Sequence, residues 1–148
     1  MESRRAIVVG TDFSEGAARA LAYAGELAGA FGARIACVHV YEDAPDTPAF
    51  HDPAPALRKQ IEDFIARSLP SAYELHVDAI VRRGAPWEKL ANVATEIGAE
   101  LIVIGAEGER GVAHRGFVGT VVSRLLSSSP RSVLVVVRSS PRFDRIAS

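Results

Sequence analysis

The sequence predicts an α/β domain built on one open, mostly parallel sheet. Three observations carry that expectation. Five short apolar runs recur along the 148 residues, helical apolar stripes lie between them, and two of the runs are apolar throughout. Strands that alternate with helices imply right-handed crossovers and a parallel sheet covered on both faces. A strand apolar at every position belongs in the middle of such a sheet.

The elements follow in order. "AIVVG" (6–10) reads as the first strand, rich in Val and ending on a glycine. Ser14 is a good N-cap for a helix in which Ala17, Leu21, Ala24, Ala28 and Phe31 recur at helical spacing. Arg19, Tyr23 and Glu26 fall on its opposite side, and Gly32 stands where it would end. "RIACVHV" (34–40) is the second strand. "YEDAPDTPAFHDPAP" (41–55) holds four prolines and reads as a surface loop. Leu57, Ile61, Phe64 and Ile65 form a second helical stripe, stopped at Pro70. The run 74–82 alternates Leu75, Val77, Ala79 and Val81 against His76, Asp78 and Arg82, which is the pattern of a sheet edge. Pro86 starts a third helix with Leu90, Ala94 and Ile97 inward and Gly98 as its cap; Trp87 packs at its start. "LIVIG" (101–105) is the fourth strand. A fourth helix is expected to begin near Thr120 and to carry Val121, Val122, Leu125 and Leu126. "SVLVVV" (132–137) is the fifth strand.

Composition bounds the function. One domain over 1–148 is expected, with a core at about 4–138 and a polar tail at 139–148. Apolar residues make up 48% and charged residues 24%, and 17 basic against 18 acidic residues leave a net charge of −1. No basic field points to nucleic acid. Cys37 is the single cysteine, so no internal disulfide forms, and the chain suits a reducing, cytoplasmic setting. No stretch approaches the roughly 18 apolar residues of a membrane span.

Chemistry is expected where strands end. In an open parallel sheet, ligands bind outside the carboxyl ends of the strands, at the point where the strand order reverses. "GTD" (10–12) and "GAEG" (105–108) follow the two wholly apolar strands. The segment 105–120 holds five glycines, which would let backbone N–H groups face an anion, and Thr120 would open a helix whose N-terminus favours negative charge. Asp12 stands ready for a sugar hydroxyl or a metal. Plainer roles stand beside these. Asp12 caps a helix, Thr120 is an N-cap, and the glycines make a connection. His39 reads as a core or pocket-rim residue and Cys37 as buried filler, and His51, His76 and His114 show no zinc-ligand spacing.

Over roughly 4–138 the chain resembles the universal stress protein family. The resemblance rests on "IVVGTDFSEGAARAL", "VHV", "VRRGAPWEKLANVATEIGAELIVIGAEG", "GFVGTVVSRLL" and "SPRSVLVVV". It implies strand order 3-2-1-4-5 with helices on both faces, a Rossmann-type fold of the adenine nucleotide alpha-hydrolase kind. Nucleotide-binding members carry Gly-x2-Gly-x9-Gly-Ser/Thr after the fourth strand. By that resemblance Gly105, Gly108, Gly119 and Thr120 would hold the phosphates of ATP, flanked by Ile104 and Val121. Asp12 would face the ribose and a Mg2+ ion, with Thr11 beside it among the nucleotide-binding residues, and the Val40 backbone would meet adenine. Two departures stand out. Ten residues, not nine, separate Gly108 from Gly119, and Glu107 and Glu109 put like charge beside the phosphates. Gly111 and Gly116 offer room for the extra residue; Arg110, His114 and Arg115 offer compensating charge.

The expected function is an adenine-nucleotide-binding stress or signalling module without vigorous catalysis. The only lysines, Lys59 and Lys89, lie on the second and third helices, so no cationic clamp for phosphoryl transfer is in place. A hydrolase is disfavoured because no Gly-x-Ser-x-Gly elbow occurs. A phospho-acceptor receiver domain is disfavoured because Arg138 stands where it needs a lysine. The alternative is a nucleotide-free dimeric interaction module of the same fold. In either case a homodimer along the fifth strand, Ser132 to Arg138, is expected, because an unbroken apolar edge strand calls for a partner.

Overall fold

In the computed structural model, which describes residues 5–43, 51–70, 74–106, 115–129 and 131–137, strands and helices alternate without exception. They are β1 (Ala6–Gly10), α1 (Glu15–Phe31), β2 (Arg34–Tyr41), α2 (Ala54–Ser68), β3 (Val77–Arg83), α3 (Pro86–Ile97), β4 (Leu101–Gly105), α4 (Arg115–Ser128) and β5 (Ser132–Val136). The side chains of residues 115–120 and 122 lie outside this description. All neighbouring strands are parallel, in the order β3-β2-β1-β4-β5. The expected architecture is the observed one.

Both faces of the sheet are covered, and the pleat explains why β1, β2 and β4 are apolar at successive positions. Ile7, Val9, Ile35, Cys37 and Val103 pack under α1 and α2 with Leu21, Ile61 and Phe64. Their neighbours Ala6, Val8, Ala36, Val38, Ile102 and Ile104 pack on the other side with Leu90, Val93, Ala94 of α3 and Leu125 of α4. Period-two alternation thus feeds two cores at once. On α1 the buried stripe is mostly small: Gly16, Ala17, Ala20, Ala24, Gly25 and Ala28. Such residues let the helix axis lie close to the sheet. The Ser14 hydroxyl accepts from the Ala17 N–H at 3.1 Å at the start of this helix. Gly32, at φ 69, ends it with an N–H donated to the Ala28 carbonyl.

Several local expectations are corrected. The fourth helix begins at Arg115, not near Thr120, so Thr120 lies inside α4 and does not open it. Gly116 and Gly119 each cost a helix only about 1 kcal/mol, too little to force a start after them. Leu126 is 62% exposed while Leu125 is fully buried, because consecutive helical residues point about 100° apart. Phe31, expected inward, is 58% exposed at the last position of α1, where the Arg5 guanidinium lies 5.9 Å from its ring. Tyr23, expected outward, is half-buried against the α1–α2 core. β3 starts at Val77, later than the apolar alternation; β2 runs one residue further, to Tyr41; β5 stops at Val136; and α2 enters the proline loop at Ala54.

Candidate functional site

The strand order reverses between β1 and β4. From β1 the chain crosses through α1 to β2 on one side, while β4 and β5 extend the sheet on the other. The crevice outside the carboxyl ends of these two strands is where such folds take ligands. The register Val9↔Val103 brings the ends of β1 and β4 side by side, and Thr11 and Gly105, each two residues further, stand at the carboxyl end of the sheet, where Gly105 still pairs with Val136 of β5.

The turn after β1 is held by its own side chains. Thr11 is buried, and its N–H extends the ladder by one bond to the Val38 carbonyl at 2.9 Å. The Thr11 hydroxyl accepts from the Phe13 N–H at 2.9 Å, and Asp12 Oδ1 accepts from the Ser14 N–H at 3.1 Å. Asp12 thus closes the turn ahead of α1, whose N-cap is Ser14; Oδ2 makes no bond to the described residues. Between them Phe13 sits at φ 67, and the other positive φ values described belong to Gly32, Gly84 and Gly98. A side chain in that region costs of order 1–3 kcal/mol, so the surrounding contacts must hold it. The Phe13 ring lies 4.5 Å from the His39 ring and 5.8 Å, edge to face, from that of Phe64. His39 Nδ1 is 2.8 Å from the Thr11 carbonyl oxygen. A carbonyl only accepts, so Nδ1 carries the hydrogen. The sequence marked His39 as a core or pocket-rim residue and had no signal for the left-handed Phe13.

Gly105 is glycine for a packing reason visible here. A Cβ on it would lie 2.7 Å from the Gly16 carbonyl oxygen, so β4 ends directly against the first turn of α1. Val40, Ile104 and Val121 all belong to the other face, in or against the core cluster that includes Leu90. The Arg124 guanidinium lies 5.4 Å from the Trp87 ring, tying α4 to α3. Of the proposed phosphate residues, Gly119 and Thr120 precede Val121 in α4, with their side chains outside the description. Gly108, Glu107, Glu109, Arg110, Gly111 and His114 lie outside the described residues.

Among the described residues no three His, Cys, Asp or Glu side chains gather as a metal site. His76 instead faces Asp78 at 3.2 Å on the β3 edge, and Lys59 pairs with Asp63 on α2. Burial pushes the Cys37 thiol up to about 12, which leaves it a protonated, inert core group. A Mg2+ ion bound chiefly through phosphates needs one or two protein carboxylates and keeps several waters, and Asp12 suits that donor set. Among the described residues no helix is long and apolar enough to cross a membrane.

Residues 3–137 match the model of the universal stress protein family. A universal stress protein of Thermus aquaticus is 31% identical over 135 residues, covering 89% of this chain and 98% of that one. A universal stress protein solved in complex with cAMP superposes with a TM-score of 0.65 at 25% identity, over 91% of this chain and 98% of its own. A family member from Burkholderia pseudomallei gives a TM-score of 0.65 at 27% identity, over 92% and 98%. With the family model spanning nearly the whole length and the fold agreeing, the chain belongs to the universal stress protein family.

Proposed function

We propose that this chain is an adenine-nucleotide-binding module of stress response or signalling, taking ATP with Mg2+, working in the cytoplasm as a homodimer through β5. The observation that carries the reading is the wired turn Thr11–Ser14, set beside the end of β4 at the point where strand order reverses. The relative solved with cAMP, at 25% identity, supports an adenine nucleotide as the ligand class. In this reading Thr11 and Asp12 meet the ribose and the metal. The Val40 backbone meets the adenine, with Ile104 and Val121 forming the apolar wall beneath it. Gly105, Gly108, Gly119 and Thr120 receive the phosphates through backbone N–H groups. Bound Mg2+ would supply charge neutralisation at the phosphates. Lys59 and Lys89 belong to α2 and α3 and not to the glycine segment, so hydrolysis is expected to be slow at most.

Mass spectrometry of nucleotide released from denatured, freshly purified protein tests this directly. An adenine nucleotide is the expected release, and Gly119→Val is expected to weaken ATP binding by about tenfold or more with the fold retained. No released nucleotide, together with no calorimetric ATP binding at millimolar concentration, would sink the reading. The second reading, a nucleotide-free dimer, is favoured by the ten-residue spacing and by Glu107 and Glu109. Replacing both glutamates by alanine separates the two readings, since binding tightens if those charges oppose phosphate.

A further inference from the structure

The Thr11 carbonyl has left the sheet's hydrogen-bond ladder. In a parallel ladder the residue whose N–H donates to Val38 returns its carbonyl to the N–H of Val40. The Thr11 N–H does donate to the Val38 carbonyl, at 2.9 Å, yet no backbone bond joins the Thr11 carbonyl to Val40. His39 Nδ1 takes that carbonyl instead, at 2.8 Å, from the residue directly before Val40. The same ring packs at 4.5 Å on Phe13, which holds the left-handed backbone of the turn. The two bonds inside the turn, to the Thr11 hydroxyl and to Asp12 Oδ1, are local and tie it to no other element. The rings of His39 and Phe64 meet the Phe13 ring from β2 and α2.

We propose that His39 is the positioning residue of this site. Its Nδ1–H diverts the Thr11 carbonyl from the Val40 N–H, which fixes the Thr11–Ser14 turn and leaves the Val40 amide open to an acceptor on a ligand. The consequence for binding rests on the nucleotide reading above, in which that acceptor is a ring nitrogen of adenine. The clamp itself does not. Without the donor, the Thr11 carbonyl swings to Val40, β1 lengthens by one ladder bond, and the amide that would read the base is closed.

Amide hydrogen exchange of the nucleotide-free protein tests the clamp. His39→Phe keeps a ring against Phe13 and removes the donor; His39→Asn keeps a donor at the same distance from the backbone. In His39→Phe the Val40 amide is expected to exchange about tenfold more slowly than in the parent, and in His39→Asn about as fast as in the parent. A role in general stability would instead speed exchange throughout. Equal or faster exchange at Val40 in His39→Phe overturns the proposal. Nitrogen NMR of the unaltered protein supplies a measurement free of folding defects: an Nδ1–H tautomer is expected, and an Nε2–H tautomer overturns it. ATP affinity is expected to fall about tenfold in His39→Phe and to hold within about threefold in His39→Asn. Parent-like affinity in His39→Phe removes His39 from ligand binding. A parent that binds no adenine nucleotide ends the nucleotide reading, while exchange at Val40 still decides the clamp.

Discussion

The two edges of the sheet end in opposite chemistry. Along β3 the bonds from Ile35 N–H to His76 and from Gly84 N–H to Tyr41 show which residues face β2. By alternation, Val77, Ala79 and Val81 turn their backbone groups outward. Arginines occupy two of those outward carbonyls. Arg58 Nη1 of α2 donates to Ala79 at 2.7 Å, and Arg82 Nη1 donates to Val81 at 3.1 Å. Arg82 also pairs with Glu96, Arg83 with Asp43 and His76 with Asp78. A cleft of about 560 Å³ lined by Arg58, Glu62 and Asp78 separates this edge from α2. Along β5, by contrast, Ser132–Val136 carries no charge, and Val133, Leu134 and Val135 are half-buried. The bond from the Ala106 N–H to the Val136 carbonyl fixes the register. Val133 and Val135 therefore turn their backbone groups away from β4. An edge is open or closed to another chain according to whether side chains occupy its backbone groups.

The β5 edge is the one to break first. Val135→Pro removes an outward N–H without touching the ladder to β4, and proline is tolerated on an edge strand. If the homodimer forms there, two lost hydrogen bonds of about 1 kcal/mol each weaken it roughly 30-fold or more. Light scattering across a dilution series reads this. An unaltered dimer would place the interface elsewhere, and a monomeric parent at micromolar concentration would end the dimer proposal.

Stripping the β3 edge has the next largest effect. Arg58→Ala with Arg82→Ala exposes the Ala79 and Val81 carbonyls at a stability loss of about 1 kcal/mol, since the Arg58 bond is solvent-exposed and the Arg82 bond only partly buried. If the proposed β5 dimer forms, species larger than a dimer are expected in sedimentation, because each chain then offers a second, unguarded edge. A variant that keeps the parent's assembly state would mean that the arginines are not what guards the edge.

The smallest effect sharpens the comparison from within. Cys37 lies on β2, one strand in from the guarded edge, with its thiol at about 12 against a usual value of 9.0. Its folded value is raised, so its contribution to stability is complete below pH 9 and is lost as pH rises from 9 towards 12. At pH 9 the loss is about 0.4 kcal/mol relative to neutral pH. Urea unfolding at both pH values, compared with Cys37→Ala, isolates that difference. Identical pH dependence in the two proteins would show that the thiol reaches solvent and that the β3 side opens.

Much of this architecture was legible in the chain. The apolar runs at 6–10 and 101–105 marked central strands because a strand covered on both faces has no polar position to spare. The alternation at 74–82 marked an edge for the converse reason. Ser14, Gly32 and Gly98 announced helix ends because caps are local, fixed by a hydroxyl within reach or by a backbone at positive φ. Thr120 misled on the same ground. It is a good cap by type, yet α4 starts five residues earlier, since a cap preference of about 1 kcal/mol does not outweigh continued helix.

By itself the sequence determined the class of fold, the edge character of β3, the helix caps and the strand ends at which a ligand site was expected. These depend on period and on neighbours within a few residues. Only the tertiary structure decided that Gly105 meets the Gly16 carbonyl, that Phe13 is left-handed, that His39 takes the Thr11 carbonyl, and that Arg58 closes the β3 edge. Each of these joins residues from different elements, or depends on such a join. No pattern along the chain encodes a distance between segments that meet only when helices and strands pack.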